Sequence, residues 1–245
     1  MNDCNPDPAP AIWMCDSTRV RSAQSPAWMT AGERQRVAGL SGAAREDFVA
    51  SRWLIRRALS QASGTLASHC RPVEGRPDRS DQPPGWRLSL SHSAGLAGCA
   101  VSRGTPIGLD LEPMARRPEW QKVVARWFSS QEQAWLLAAN DAAAFLKVWT
   151  LKEAWLKATG RGIANNLKTL DITADFELRG DRPGEPWRAC LGNSADHWVA
   201  LVYQSSVPPR GFTIAGAVDT TSLEADGSGA RPVDWIIQRR IHSTF

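Results

Sequence analysis

Three carboxylates and a lysine carry the residue types and spacing for chemistry. In Gly108-Leu109-Asp110-Leu111-Glu112 polar and apolar residues alternate as in a β-strand, so Asp110 and Glu112 share one face and Leu109 and Leu111 the other. Two carboxylates side by side repel unless a cation lies between them. Hard oxygen ligands of this kind suit Mg²⁺, which takes one or two protein carboxylates and fills its shell with water and phosphate. Glu153 offers a third carboxylate, and Lys157 follows it by four residues, on the same face of a helix. Taken singly, these features read as two solvated acids on a strand edge and a surface ion pair of about 0.3–0.5 kcal/mol. Their weight comes from the combination.

Two further groups are candidates for binding an anion. Ser91-His92-Ser93 ends a strand just before glycine-containing sequence, where hydroxyls and an imidazole can donate to phosphate oxygens. A serine nucleophile is disfavoured there, because no acid is suitably placed and no G-x-S-x-G elbow is present. Gly75-Arg76-Pro77, with Arg71 before it, is a turn carrying positive charge. Neither G-x-x-x-x-G-K-[ST] nor G-x-G-x-x-G occurs, so the usual nucleotide cradles are missing.

The elements that must hold these residues are legible in outline. Asp141 caps a helix running through Leu146, Trp149 and Leu156, and Gly160 stands where a left-handed residue would end it. Ser129-Ser130-Gln131-Glu132 is a capping box opening a shorter helix, and another helix is expected over 120–127. Upstream, Thr30 caps a helix through Arg34 and Arg36, and 45–60 forms an amphipathic, basic helix. Strands are expected at 11–15, 86–90, 97–102, 107–112, 170–178, 187–191, 197–204 and 212–218, with a long loop over 64–85 and a short helix at 235–241. This order argues for α+β. The expected division is a flexible leader over 1–10, an N-terminal half over 11–104, a C-terminal half over 105–220 and a tail over 221–245.

Composition sets the outer bounds. A chain of 245 residues makes one large domain or two halves of roughly 110 residues. Net charge is +4 and arginine is concentrated in the first half, which favours an acidic or phosphorylated partner. No Lys/Arg run, aromatic RNA-binding pattern or zinc spacing supports a nucleic-acid binder. The five cysteines are scattered and never paired as CxxC, which argues against a disulfide framework. There is no apolar signal-peptide core and no run of about 18 apolar residues, so the expectation is a cytoplasmic protein.

In order along the chain, GRP, SHS, IGLDLE and WTLKEAWLKATGRG resemble the 4'-phosphopantetheinyl transferases of the surfactin-synthetase-activating type. The resemblance runs from about Thr30 to Val218. It implies two similar α+β halves packed face to face, related by a pseudo-twofold axis, with coenzyme A and Mg²⁺ in the cleft between them. By it, Asp110, Glu112 and Glu153 match the metal ligands and Lys157 the lysine near the pyrophosphate. Ser91 and His92 match phosphate-binding positions, and Arg34, Arg71 and Arg76 fall where relatives contact the adenosine phosphates.

The implied reaction moves phosphopantetheine from coenzyme A to a serine of an acyl or peptidyl carrier protein and releases 3',5'-ADP. Glu153 would take the serine proton and Lys157 would stabilise the leaving phosphate. The resemblance also implies an acidic carrier protein as partner and a pseudo-dimeric monomer, with neither nucleic acid nor membrane involved. The alternative is a non-catalytic coenzyme A or carrier-binding protein of the same fold. Two departures from the family pattern stand out: Ser89 where Asn is common, and Arg76 where Lys is commoner.

Overall fold

A computed structural model describes residues 8–21, 25–214, 218–223 and 231–244. Most of the expected leader, residues 1–7, and residues 224–230 and 245 of the expected tail lie outside the described residues. In chain order, β1 (Ala11–Asp16) and β2 (Val20–Arg21) precede α1 (Ala31–Ala38) and α2 (Gly42–Ser63). Next come β3 (Arg71–Val73), β4 (Arg76–Gln82), β5 (Trp86–Ser93), β6 (Leu96–Arg103) and β7 (Ile107–Pro113). Helices α3 (Trp120–Trp127), α4 (Ser130–Ala139) and α5 (Ala142–Ala158) follow. The chain then runs through β8 (Leu170–Ile172), β9 (Leu178–Gly180), β10 (Arg188–Ser194), β11 (His197–Tyr203), β12 (Arg210–Ile214), β13 (Val218–Asp219), β14 (Arg231–Pro232) and β15 (Asp234–Ser243). The fold is α+β, in two compact units: Met1–Pro106 with Ser205–Pro232, and Ile107–Gln204 with Val233–Phe245. None of the described helices is long and apolar enough to cross a membrane.

The first unit carries a sheet of order β14-β12-β1-β6-β5-β4-β3 among the described residues, crossed by α2. Ala50, Trp53, Leu54, Ile55, Ala58 and Leu59 are buried from α2, at the spacing of one helical face. Arg56 breaks that pattern. It is 1% exposed and survives burial because Nη2 lies 2.7 Å from Glu33 Oε2 and Nη1 donates to the Arg52 carbonyl at 3.1 Å. Glu33 also closes a capping box with Thr30, so one carboxylate both starts α1 and ties it to α2.

The second unit has a sheet of order β7-β11-β10-β15-β9-β8 among the described residues, with α5 packed on β7 and β11. Phe145, Leu146, Trp155 and Leu156 of α5 join Phe128, Leu170, Leu191, Ala200 and Val202 in its core.

Several expectations are corrected. Residues 64–85 are not a long loop, since β3 and β4 pair within them. These strands are mostly exposed and rich in proline and charge, so no apolar alternation betrays them. Residues 235–241 form part of β15, not a helix, pairing antiparallel with β10 and parallel with β9. The expected strand over 170–178 is two, β8 and β9, joined by a turn in which Phe176 takes φ 57°. Whereas the expected second half ran from 105 to 220, the chain rejoins the first unit at Ser205 and re-enters the second at Val233. The cause is the parallel pairing of β12 with β1 and the insertion of β15 between β10 and β9. Both depend on partners remote in sequence.

Candidate active site

Helix α5 forms where capping and apolar spacing place it. Asp141 Oδ1 accepts from the Ala143 N–H at 2.8 Å. At the other end Gly160 takes φ 68°, the Arg161 N–H donates to Leu156 O at 2.8 Å and the Gly160 N–H to Lys157 O at 3.2 Å. That pair of bonds is a Schellman ending, which glycine enters at little cost. Nearly every side of α5 is buried, and Glu153 and Lys157 stand on the face that meets β7.

Contact between α5 and β7 is unusually close. A β-carbon on Gly108 would lie 2.0 Å from Ala154 O and 2.5 Å from Ala158 N, so only glycine lets the strand approach the helix backbone. Asp110 and Glu112, two and four residues along that strand, are 6% and 7% exposed. Lys157 Nζ donates to Asp110 Oδ1 at 2.8 Å. The Trp149 indole N–H donates to Glu112 Oε1 at 3.0 Å, and Arg116 Nη1 donates to the same oxygen.

Burial raises the Glu153 carboxyl from near 4.5 to about 7, helped by Asp110 and then Glu112 and opposed by Lys157 and Arg116. A carboxyl titrating near neutrality can exchange a proton under physiological conditions. Three carboxylates are the hard oxygen donors that a divalent ion such as Mg²⁺ takes, so the donor set fits one. Among the described residues, however, no three His, Cys, Asp or Glu side chains are drawn together as a ready cage. Lys157 and Arg116 hold two of the acids instead.

The remaining expected residues belong to the first unit. A cavity of about 590 Å³ there is lined by residues of α1, α2 and the β3–β4 hairpin, among them Arg36, Arg52, Arg71, Phe48, Gly75 and Asp81. Arg71 Nε lies 2.6 Å from Asp81 Oδ2 in its wall. Arg34 instead turns back to donate to the Met29 carbonyl, and Arg76 is an exposed residue opening β4; neither lines the cavity. Ser91 and His92 are neighbours on β5 and so face opposite ways, Ser91 buried and His92 exposed with Nδ1 3.9 Å from Asp47 Oδ2. The structure does not bring those two to one surface.

The sequence pattern of the 4'-phosphopantetheinyl transferase superfamily matches residues 106–215, which span β7, α5 and the strands that support them. A putative 4'-phosphopantetheinyl transferase of Synechocystis is 28% identical over 222 residues, 80% of this chain and 87% of that protein. The 4'-phosphopantetheinyl transferase HetI of Nostoc is 34% identical over 52% of this chain and 57% of its own length. The 4'-phosphopantetheinyl transferase AcpT of Salmonella typhi is 32% identical over 56% of this chain and 70% of its own. The chain belongs to the 4'-phosphopantetheinyl transferase superfamily. It is an enzyme of that class.

Sequence reasoning missed four residues around the candidate site and the cavity. Trp149 sits four residues before Glu153, and that helical spacing was a usable signal for a shared face. Arg116 follows Glu112 by four residues but lies beyond the strand, where spacing says nothing about direction. Arg36 and Arg52 enter the cavity through the packing of α1 and α2, which no local pattern encodes. Lys152, beside Glu153 in the same motif, points the other way. Its buried ammonium meets Glu132 Oε1 at 2.7 Å and donates to Leu167 O at 2.6 Å and to Leu170 O. Its role is to anchor α5.

Proposed function

We propose that the transferase moves 4'-phosphopantetheine from coenzyme A to a serine hydroxyl of an apo acyl or peptidyl carrier protein, with Mg²⁺, leaving holo-carrier and 3',5'-ADP. The observation that carries this reading is the placing of Asp110, Glu112 and Lys157 on the close β7–α5 contact, with Glu153 among them. A neutral hydroxyl attacking a phosphoryl group needs positioning, charge neutralisation and a proton acceptor, with little covalent help from the protein. Asp110, Glu112 and Glu153 would hold the metal. When bound, Mg²⁺ supplies charge neutralisation and a template for the pyrophosphate oxygens.

The chain's own groups cover the remaining needs. Glu153 would accept the serine proton, directly or through a water. Lys157, whose ammonium already lies among the acids, would face the leaving phosphate. In the first unit, Arg71 with Arg36 and Arg52 in the cavity wall gives positive charge for the adenosine-phosphate end of coenzyme A. Arg76, Arg34, Ser91 and His92 are kept as further phosphate contacts on the strength of the family resemblance alone. The net charge of +4 would steer an acidic carrier protein.

The test is covalent labelling. Purified protein, fluorescent coenzyme A and Mg²⁺ are incubated with apo-carriers from fatty-acid, polyketide and peptide synthesis, and the carriers are examined for label on serine. Label on at least one is expected. If no carrier acquires it, the reading is wrong.

A further inference from the structure

Glu112 Oε1 receives two donors of opposite character. Trp149 is neutral, half-buried against the core of the second unit, and donates to the oxygen from α5 at 3.0 Å. Arg116 is charged, stands on the segment just past β7 and is 45% exposed at its side chain against 9% for Glu112. The first is placed to orient a ligand, as hydrogen-bond donors behind metal-binding groups do. The second is placed to neutralise it. A guanidinium on a carboxylate oxygen does the work of a cation, and a divalent ion brought to the same carboxylate is repelled by it.

We propose that Arg116 is a latch on Glu112: it pairs with this acid while no divalent ion is bound and competes with the ion for it, whereas Trp149 sets the carboxylate's direction in both states. The proposal rests on the reading of Asp110, Glu112 and Glu153 as metal ligands. It accounts for two observations together. The three acids lie at one β7–α5 contact without forming a ready cage, and the cation on Glu112 is a half-exposed side chain that can swing into solvent at little cost. Lys157 on Asp110 is less free to leave, being 32% exposed and anchored near the end of α5. Loading is therefore an exchange of one cation for another at Glu112.

The neighbouring Arg117 provides the control. It carries the same charge but donates to the Met114 and Arg116 carbonyls, at 2.9 and 3.0 Å. Mn²⁺ binding is measured by electron paramagnetic resonance and by calorimetry on the full chain, without coenzyme A or carrier. Arg116→Gln is expected to bind Mn²⁺ about fivefold tighter than wild type, as loss of an ion pair exposed only on its arginine side would allow. Arg116→Lys and Arg117→Gln should stay within about twofold, and Trp149→Phe should weaken binding by about 10–100-fold. An Arg116→Gln affinity equal to or below wild type, or equal tightening by Arg117→Gln, overturns the latch while leaving the metal assignment standing. Absence of Mn²⁺ binding by the wild-type protein overturns both.

Discussion

Gly108 lies against Ala154 so closely that a β-carbon on the glycine would stand 2.0 Å from the Ala154 carbonyl oxygen. Strand β7 touches the backbone of α5 at that point, beside the candidate site. Two and four residues on, Asp110 and Glu112 meet Lys157 and Trp149 of the same helix. Glycine here is needed for space.

Replacing Gly108 with Ala should therefore force strand and helix apart. The obstructing atoms are backbone and cannot rotate away, so a stability loss of about 1–3 kcal/mol or more is expected. Transfer to the carrier should fall further than the unfolded fraction explains, because the acids recede from Glu153. A chemical-denaturation midpoint matching wild type would show that the contact is not as close as described.

Glu153→Gln should lower kcat by roughly 10²- to 10⁴-fold, the range for loss of a general base. The fold should persist, since an amide of the same shape relieves crowding among Glu153, Asp110 and Glu112. Asp110→Ala should likewise abolish transfer and leave the far-ultraviolet spectrum unchanged. Near-normal turnover in either variant would remove that residue from its assigned role.

Chelation would separate the proposed metal from the fold. Because Lys157 and Arg116 already pair with two of the acids, EDTA should stop transfer without lowering the thermal midpoint appreciably. A large loss of stability on chelation would instead mean that the metal is structural.

Lys152 offers the contrasting case. Its ammonium and the Glu132 carboxylate are fully buried at 2.7 Å, so Lys152→Met should cost about 3–5 kcal/mol by stranding the partner. The double variant Lys152→Met/Glu132→Leu should recover much of this, although Glu132 Oε1 also accepts from the Ile172 N–H at 3.0 Å. Urea titrations of the two singles and the double measure the coupling. Additive losses would mean the pair is not linked.

Among the arginines, Arg36→Ala and Arg71→Ala should raise KM for coenzyme A with kcat little changed, and Arg34→Ala should do so less, since its guanidinium is committed to the Met29 carbonyl. Equal effects at 34 and 36 would show that the cavity is not the anion site.

Helix α5, its Asp141 cap, its ending at Gly160 and the capping box of Ser129 with Glu132 were all legible in the sequence, because each depends on residues within a few positions. So was the sharing of one face by Asp110 and Glu112, which strand alternation dictates. The motifs around these residues were enough to identify the family.

Tertiary structure alone decided which face of α5 meets β7, and hence that Lys157 reaches Asp110 while Lys152 is buried on Glu132. It also made a strand of 234–243, with partners at 188–193 and 178–180, and put Arg36 and Arg52, not Arg34, in the cavity wall. Caps and periodicity are fixed by short-range hydrogen bonds and side-chain spacing. Strand partners and the depth of a charge are fixed by which remote surfaces pack together, and a glycine's missing β-carbon can set that distance while leaving only the letter G in the sequence.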